Sequence, residues 1–336
     1  MSRILVVGPS WVGDMVMAQS LFKVLRQRRP DRPIDVLAPG WSLPLLARMP
    51  EVERGIEIPI GHGELGLAKR WRLGRELRNG GYAQAILLPN SLKSALVPFW
   101  ARIPRRTGWL GEQRHGLLND IRKLDKQALP MTVQRFVALA TEQADEPLPE
   151  IPPPALRVDP DQVDAARAEF GIDAARPLLA LCPGAEYGAA KRWPEAHYAE
   201  LARDYLTRGW QVALFGSLKD QLVSAAIATA APGCVDLAGR TSLARAIDLL
   251  AASDAVVSND SGLMHVAAAL QRPLVAVYGS SDPGFTPPLN AEHRIASLRL
   301  DCSPCFEREC PLGHLDCLNK LPVARVAGLL RELLAA

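Results

Sequence analysis

The chain has little net charge and no long hydrophobic run. Its 39 basic and 36 acidic residues leave a formal charge of +3, which is too small to favour nucleic acid as a partner. The longest apolar stretches, such as residues 95–101, are far shorter than the roughly 20 residues that cross a bilayer, so we predict no transmembrane segment. Residues 1–8 lead directly into an apolar run without the features of a secretory signal. We therefore expect a cytoplasmic protein.

Common fingerprints of nucleotide and metal sites are also absent. The loop from Gly8 to Asp14 has neither the Gly-Lys-Ser/Thr of a phosphate-binding loop nor the Gly-x-Gly-x-x-Gly of a dinucleotide site. The Asp-x-Asp at residues 159–161 has Pro160 in its middle, which is typical of a helix start. We therefore predict no catalytic metal and no cofactor.

Strand-like and helix-like patterns alternate along the chain. Its 336 residues, 48% of them hydrophobic and 22% charged, fit a globular protein of about two domains. Strands are expected at 4–7, 34–37, 84–88, 178–182, 211–216, 255–257 and 274–279, and helices at 15–28, 194–208 and 242–252. This alternation predicts an α/β fold of two Rossmann-like, doubly wound parallel-sheet domains that face each other across a cleft.

A proline-rich stretch marks the domain boundary. Residues 146–154 cannot sustain a helix or a central strand and are typical of a semi-rigid linker. We expect domains over 1–150 and 151–322, followed by a C-terminal helix over 323–336 that could pack back on the N-terminal domain.

Two segments of the C-terminal half are typical of sites for phosphate groups. After the run 255–257, Asn259 or Asp260 is the expected helix cap, and the small residues that follow would leave the first helical N–H groups uncovered. An ordinary capped helix has the same pattern. The loop 183–194 is rich in small residues and contains Lys191-Arg192, which suits a clamp over a diphosphate or a solvent-exposed basic pair.

Basic residues are concentrated in the N-terminal half. Seven basic residues and three acidic residues between 102 and 126 give a local excess of 7 − 3 = +4, and a second basic run covers 69–78. Each run is either a solvated face or an anion-binding surface. In the same half, Asp14 follows two glycines at the start of a helix, where it is either a helix cap or a catalytic carboxylate.

Potential metal ligands cluster near the C-terminus. They are Cys302, Cys305, Cys310, His314 and Cys317. The spacing after the single Cys-x2-Cys is irregular for a zinc ribbon. A structural metal, a disulfide and free thiols all remain open.

Taken together, these segments resemble the ADP-heptose:lipopolysaccharide heptosyltransferases, inverting glycosyltransferases of the two-domain GT-B architecture. The resemblance runs nearly end to end and is nearest to the members that add the second heptose. It is carried by residues 8–17, 88–95, 106–109, 182–188, 191–194 and 259–269.

The resemblance implies a role for each candidate residue. The N-terminal domain would hold the acceptor, a Kdo-lipid A core glycolipid whose carboxylates and phosphates would meet the basic runs. Asp14 would be the general base, and Lys191 would contact the diphosphate. The other implied residues of the ADP-heptose site are Asp220, Asp260, Ser261, Gly262, Leu263 and His265. The expected acceptor-binding residues are Lys93, Arg105, Arg106, Arg114 and Arg122.

The implied reaction is a metal-independent displacement that transfers heptose to the first heptose of the lipopolysaccharide inner core. Members that add the first or third heptose remain alternatives, because they would share the donor site. Outside the family, a nucleotide-dependent oxidoreductase is disfavoured by the missing fingerprint, and a non-catalytic sugar-nucleotide binding protein would bind ADP without turnover. We expect a monomer that is cytoplasmic or peripheral at the cytoplasmic face of the inner membrane.

Overall fold

The computed structural model describes residues 2–61, 64–143 and 145–335. The chain divides into two compact units, Met1–Pro154 and Ala155–Ala336. Residues 146–154, the predicted linker, contain neither helix nor strand.

The first unit contains a six-stranded parallel sheet. Its strands are β1 (Arg3–Val7), β2 (Ile34–Ala38), β3 (Val52–Glu57), β4 (Tyr82–Leu87), β5 (Arg105–Trp109) and β6 (Asp120–Arg122). They lie in the order β3-β2-β1-β4-β5-β6, so the winding reverses between β1 and β4. Ligands of doubly wound sheets bind beyond the carboxyl ends of the strands at this switch point.

Helices cover this sheet because its central strands β1, β2 and β4 are mostly apolar, with Arg3, Asp35 and Gln84 as the exceptions. They are α1 (Val12–Arg28), α2 (Leu43–Leu46), α3 (Leu67–Leu77), α4 (Leu96–Trp100) and α5 (Thr132–Val137). The core on one side of the sheet includes Leu5, Val7, Leu37 and Leu87. Such mostly apolar strands are typical of parallel sheets that are buried on both faces.

The second unit repeats the architecture of the first. Its strands are β7 (Leu178–Cys182), β8 (Gln211–Leu214), β9 (Val235–Asp236), β10 (Ala255–Asn259), β11 (Leu274–Val277) and β12 (His293–Ala296). The order β12-β11-β10-β7-β8-β9, read from the other edge and in chain order, is the same as in the first sheet. Its switch point therefore lies between β7 and β10.

The helices of the second unit include the C-terminal helix of the chain. They are α6 (Pro160–Phe170), α7 (Glu195–Thr207), α8 (Gln221–Ala230), α9 (Leu243–Ala251), α10 (Gly262–Ala269), α11 (Asp316–Asn319) and α12 (Val323–Ala335). Val326 and Leu330 of α12 are buried in the core of this second unit, together with residues of β10 and β11. The helix thus contributes its apolar face to the second sheet.

The structure confirms the α/β class and the two doubly wound sheets. The predicted strands are present, but α1 begins at Val12, three residues before the predicted Met15. The sequence patterns did not predict five of the strands, because sequences such as VERGIE in β3 and DIR in β6 lack a continuous apolar run. These five strands are β3, β5, β6, β9 and β12. Asp159 caps α6 by accepting a hydrogen bond from the Asp161 N–H at 3.0 Å, which agrees with the helix start expected there.

Within the described residues, no helix is long and apolar enough to cross a membrane.

Candidate active site

Asn259, at the end of β10, joins the two loops at the second switch point. Its side-chain amide donates to the Pro183 carbonyl at 2.6 Å. Its Oδ1 accepts hydrogen bonds from the Trp193 N–H at 3.1 Å and the Tyr198 hydroxyl at 2.9 Å. Asn259 is fully buried, so these bonds fix the loop that carries Lys191 against the end of β10. The predicted cap role of Asn259 is therefore wrong.

Lys191 and Asp260 form an ion pair at this junction. Lys191 ends a single 3₁₀ turn, Ala189–Lys191, and its Nζ lies 2.5 Å from Asp260 Oδ2. The Asp260 side chain is 4% exposed and that of Lys191 is 17% exposed. The Nζ also lies 5.0 Å from the centre of the Tyr187 ring. A cation in such a protected place acts strongly on an anionic ligand, because little water screens it.

The N-terminus of α10 lies directly after this ion pair in the chain. Ser261 is the N-cap residue, not Asn259 or Asp260, because Asn259 completes β10 and Asp260 turns toward Lys191. The Ser261 hydroxyl lies 3.3 Å from that of Ser258 and makes no capping bond to α10. Ser261, Gly262 and Leu263 are half-buried. The first N–H groups of α10 are thus a potential anion site of the kind that helix N-termini provide.

His265 lies in α10 and is 5% exposed. Burial lowers the pKa of its imidazole to about 4; the nearby Asp260 carboxylate opposes this shift, and the Lys191 ammonium adds to it. The side chain is therefore neutral near pH 7, and it offers one donor and one acceptor nitrogen.

Asp220 is buried beside the loop that follows β7. Its Oδ2 accepts hydrogen bonds from the Ser217 N–H and hydroxyl, each at 2.8 Å. A Cβ on Gly184 would lie 2.5 Å from the Asp220 carboxyl carbon, so only glycine allows this approach. The structure thus places Asp220 after β8 as the last residue of the turn Leu218–Asp220, where it forms a capping box with the N-cap residue Ser217.

In the first sheet, Asp14 follows β1, the strand at the switch point that corresponds to β7 in the second sheet. It is the third residue of α1, is half-buried, and follows the N-cap residue Trp11. Asp14 is therefore not the helix cap. A carboxylate in a first helical turn is stabilised as an anion by the helix dipole, which suits a group that must be deprotonated to act as a base.

The predicted acceptor-binding arginines contact many protein oxygens. Arg105 pairs with Asp120 and Glu142, and Arg122 pairs with Asp120 and donates to the Thr141 carbonyl. Their involvement in these bonds leaves fewer donors for a ligand.

The other two predicted acceptor-binding arginines, Arg106 and Arg114, donate hydrogen bonds to main-chain carbonyls. Arg106 donates to the carbonyls of Ile103 and Leu117. Arg114 is fully buried and donates to the Pro89 and Trp109 carbonyls at 2.8 and 2.5 Å. In contrast, Lys93 is half-buried, and no described residue accepts a hydrogen bond from its ammonium group.

Residues 302–317, which we call the cysteine-rich segment, line a small cavity of about 20 Å³. Hydrogen bonds from main-chain N–H groups, that of Leu315 first, lower the pKa of the Cys310 thiol, whereas burial and the neighbouring thiols raise that of Cys317. The cavity is lined by Cys302, Cys305, Cys310, His314 and Cys317, among others. All six cysteines are free thiols. Among the described residues, no group of three or more His, Cys, Asp or Glu side chains is arranged to hold a metal ion.

This segment also supports the loop that carries Lys191, which the sequence patterns did not reveal. The Tyr187 hydroxyl donates to the Phe306 carbonyl at 2.7 Å, and the Ala190 N–H donates to the Arg308 carbonyl at 3.0 Å. The guanidinium of Arg308 lies 5.2 Å from the centre of the Tyr187 ring. The only signal for this contact in the sequence is the aromatic residue among the small residues of the loop.

Comparison with known proteins identifies the fold that carries this site. The family model described as glycosyltransferase family 9 (heptosyltransferase) matches residues 70–316. The chain belongs to this family. The expected enzyme class, a heptosyltransferase, is thereby confirmed, and the oxidoreductase alternative is excluded.

Full-length relatives agree with the family match. The family 9 protein is 52% identical to lipopolysaccharide heptosyltransferase 2 of Escherichia coli K12, over 99% of this chain and 98% of that protein. It is 49% identical to the Salmonella typhimurium protein of the same name, over 99% of both chains. The solved structure of E. coli ADP-heptose LPS heptosyltransferase II is similar, with a TM-score of 0.88, 47% identity and coverage of 99% and 98%. The roles of individual residues stay predictions.

Proposed function

We propose that this family 9 protein transfers heptose from ADP-heptose to a lipopolysaccharide inner core that already carries one heptose. The two relatives described above are lipopolysaccharide heptosyltransferases 2, which supports both the lipopolysaccharide acceptor and the position of the added sugar. The similar E. coli structure is that of an ADP-heptose LPS heptosyltransferase, which supports ADP-heptose as the donor. The observation that carries the proposal is the Lys191–Asp260 pair beside the N-terminus of α10.

The donor diphosphate would bind to Lys191 and to the first N–H groups of α10. Asp260 holds the Lys191 ammonium at the second switch point before the donor arrives, so little side-chain freedom would be lost on binding. The N–H groups of Ser261, Gly262 and Leu263 would donate to phosphate oxygens. Neutral His265 would hydrogen-bond to the donor, and Asp220 would accept from the adenosine ribose.

The reaction would be a single displacement at the anomeric carbon. The acceptor hydroxyl oxygen forms a bond to that carbon while the bond from the carbon to the diphosphate oxygen breaks, and ADP takes the electron pair. Asp14 takes the hydroxyl proton as general base. The Lys191 charge and the α10 dipole stabilise the charge that develops on ADP. These groups would neutralise the negative charge on the departing ADP without a metal ion. The acceptor hydroxyl would attack the anomeric carbon from the face opposite ADP, so the configuration at that carbon would be inverted.

The acceptor would bind to the first unit through Lys93, Arg105, Arg106, Arg114 and Arg122. We assign direct contact with the core anions first to Lys93, because the four guanidinium groups already have protein partners. Since the acceptor is a membrane glycolipid, we propose that the enzyme works as a monomer at the cytoplasmic face of the inner membrane. Analytical ultracentrifugation of the purified protein would test the monomer.

The test uses ADP-heptose and purified core acceptors with no, one or two heptoses, with products identified by mass spectrometry. We expect efficient addition of one heptose only to the mono-heptosylated acceptor. Displacement of the reacting hydroxyl by a whole sugar should remove most of the advantage of orientation in the other two. Efficient addition to the heptose-free acceptor alone would assign the protein to the first step of core assembly and overturn the proposal.

A further inference from the structure

Helix α3 has one face in the core of the first unit and one face in solvent. Leu73 and Leu77 are buried, and the helix packs against α4. Arg78 adds a hydrogen bond to the Trp100 carbonyl at 3.0 Å. These contacts fix the opposite face of α3 as a stable part of the protein surface.

The solvent face of α3 and the residues before it expose large apolar side chains. Leu65 and Leu67 are each 50% exposed, and Trp71 is 47% exposed. Leu67 and Trp71 are four residues apart, so they lie on one side of the helix. Single exposed apolar residues are common on protein surfaces, whereas neighbouring ones can form the contiguous apolar patches that mark interaction surfaces.

Exposed basic side chains lie on the same helix. Lys69, Arg72 and Arg75 are exposed, and none of them forms an ion pair with a described carboxylate. The Arg75 guanidinium lies 4.9 Å from the centre of the Trp71 ring. We call the six residues Leu65, Leu67, Lys69, Trp71, Arg72 and Arg75 the α3 surface.

This combination of side chains fits the interface of an anionic bilayer. Leucine and tryptophan enter the boundary between headgroups and acyl chains, while lysine and arginine attract anionic lipids. The unit that carries α3 is also the one to which we assign the glycolipid acceptor. Its exposed tryptophans include Trp11 and Trp41, whereas Trp193 in the second unit is buried.

We propose that the α3 surface binds the enzyme to the anionic bilayer that contains its acceptor. The inference rests on the proposed function, because it supposes a lipid-linked acceptor. It assigns the basic run of α3 to lipid headgroups, rather than to the carboxylates and phosphates of the core sugars. The bound enzyme would find its acceptor by diffusion along the bilayer.

The first test measures co-sedimentation with vesicles. One vesicle set contains phosphatidylglycerol and phosphatidylethanolamine, and the other contains phosphatidylcholine alone. We expect binding to the anionic vesicles that weakens with salt. Lys69→Gln/Arg72→Gln should weaken it about 30-fold, because each basic residue near such a surface contributes about fivefold. Trp71→Gln should weaken binding to a similar degree. Matched controls on the second unit, Arg325→Gln/Arg331→Gln for charge and Leu222→Gln for apolar exposure, should bind like the parent.

The second test compares an acceptor embedded in vesicles with the same core freed of its acyl chains. The α3 variants should transfer heptose to the soluble core with unchanged kcat and KM and should lose rate only on embedded acceptor. A raised KM for the soluble core would assign α3 to the sugar anions and overturn the proposal. Equal vesicle binding by parent and α3 variants, or binding only when membrane proteins are present, would also overturn it. Failure of the parent on the soluble mono-heptosylated core would contradict the proposed function instead.

Discussion

The two sheets share one strand order, but their charged residues are arranged differently. In the second unit, Lys191 and Asp260 come from loops that follow adjacent strands and meet beside a helix N-terminus without a side-chain cap. In the first unit, Arg105 and Arg114 come from a strongly basic segment, yet their guanidinium groups bond to protein oxygens. From this difference we expect the ends of strands at a switch point to indicate ligand-binding residues better than a local excess of charge does.

The strongest test of this comparison is Asp14→Asn, since Asp14 lies at the switch point of the first sheet. Loss of a general base should lower turnover by about 10²–10⁴-fold. Asparagine is nearly isosteric, so thermal unfolding and ADP-heptose binding should match the parent. Steady-state kinetics of the purified variant measures the effect. Near-normal turnover would exclude Asp14 as the base and remove the catalytic role of the first switch point.

A matched pair, Arg114→Ala and Lys93→Ala, separates structural from ligand-binding basic residues. Arg114→Ala leaves buried carbonyls without donors, so the free energy of unfolding should fall by about 2–4 kcal/mol. Lys93→Ala should leave stability within about 0.5 kcal/mol of the parent and raise the acceptor KM about tenfold through the lost charged contact. Denaturant titration and kinetics measure the two effects. If Lys93→Ala lowers stability and leaves KM unchanged, the contrast between the two residues is wrong.

Lys191→Ala should weaken ADP binding about 10- to 100-fold, which corresponds to one charged hydrogen bond, and should also slow turnover. Calorimetric titration with ADP measures the affinity. Asp260→Asn is the control, because this substitution removes the ion pair but keeps the Lys191 charge. The Asp260→Asn variant should therefore bind ADP at least as tightly as the Lys191→Ala variant does. Equal affinity in the parent and Lys191→Ala would make Lys191 a structural partner of Asp260 only.

A smaller effect concerns pH and His265. Its pKa is about 4 in the folded protein and 6.5 in an ordinary environment, so the unfolded chain binds more protons between these values. The free energy of unfolding should therefore be highest above about pH 6.5 and should be lower by about 2 kcal/mol at pH 5, with a further loss toward pH 4. Urea unfolding at several pH values measures this slope. His265→Gln cannot take up the proton, so its slope should be shallower; an unchanged slope would show that other groups cause the loss.

Sequence patterns predicted the strands with continuous apolar runs and the loops that follow them, because burial on both faces of a parallel sheet leaves a clear signal. They did not predict β6 or β12, which contain few apolar residues. They also assigned the cap of α10 to Asn259 or Asp260. The tertiary partners Pro183 and Lys191 determine the positions of these two side chains, and local propensity cannot reveal partners so distant in the chain.

The close contact between Gly188 and the cysteine-rich segment limits how the family 9 protein can change during evolution. A Cβ at residue 188 would lie 2.3 Å from the Arg308 carbonyl oxygen, so any larger residue would force the two segments apart. The amino-acid sequences of the Lys191 loop and of the segment around Arg308 therefore cannot change independently. Substitutions that are tolerated in one segment will depend on the residues present in the other, so exchange of either segment alone between relatives should impair the enzyme more than exchange of both together.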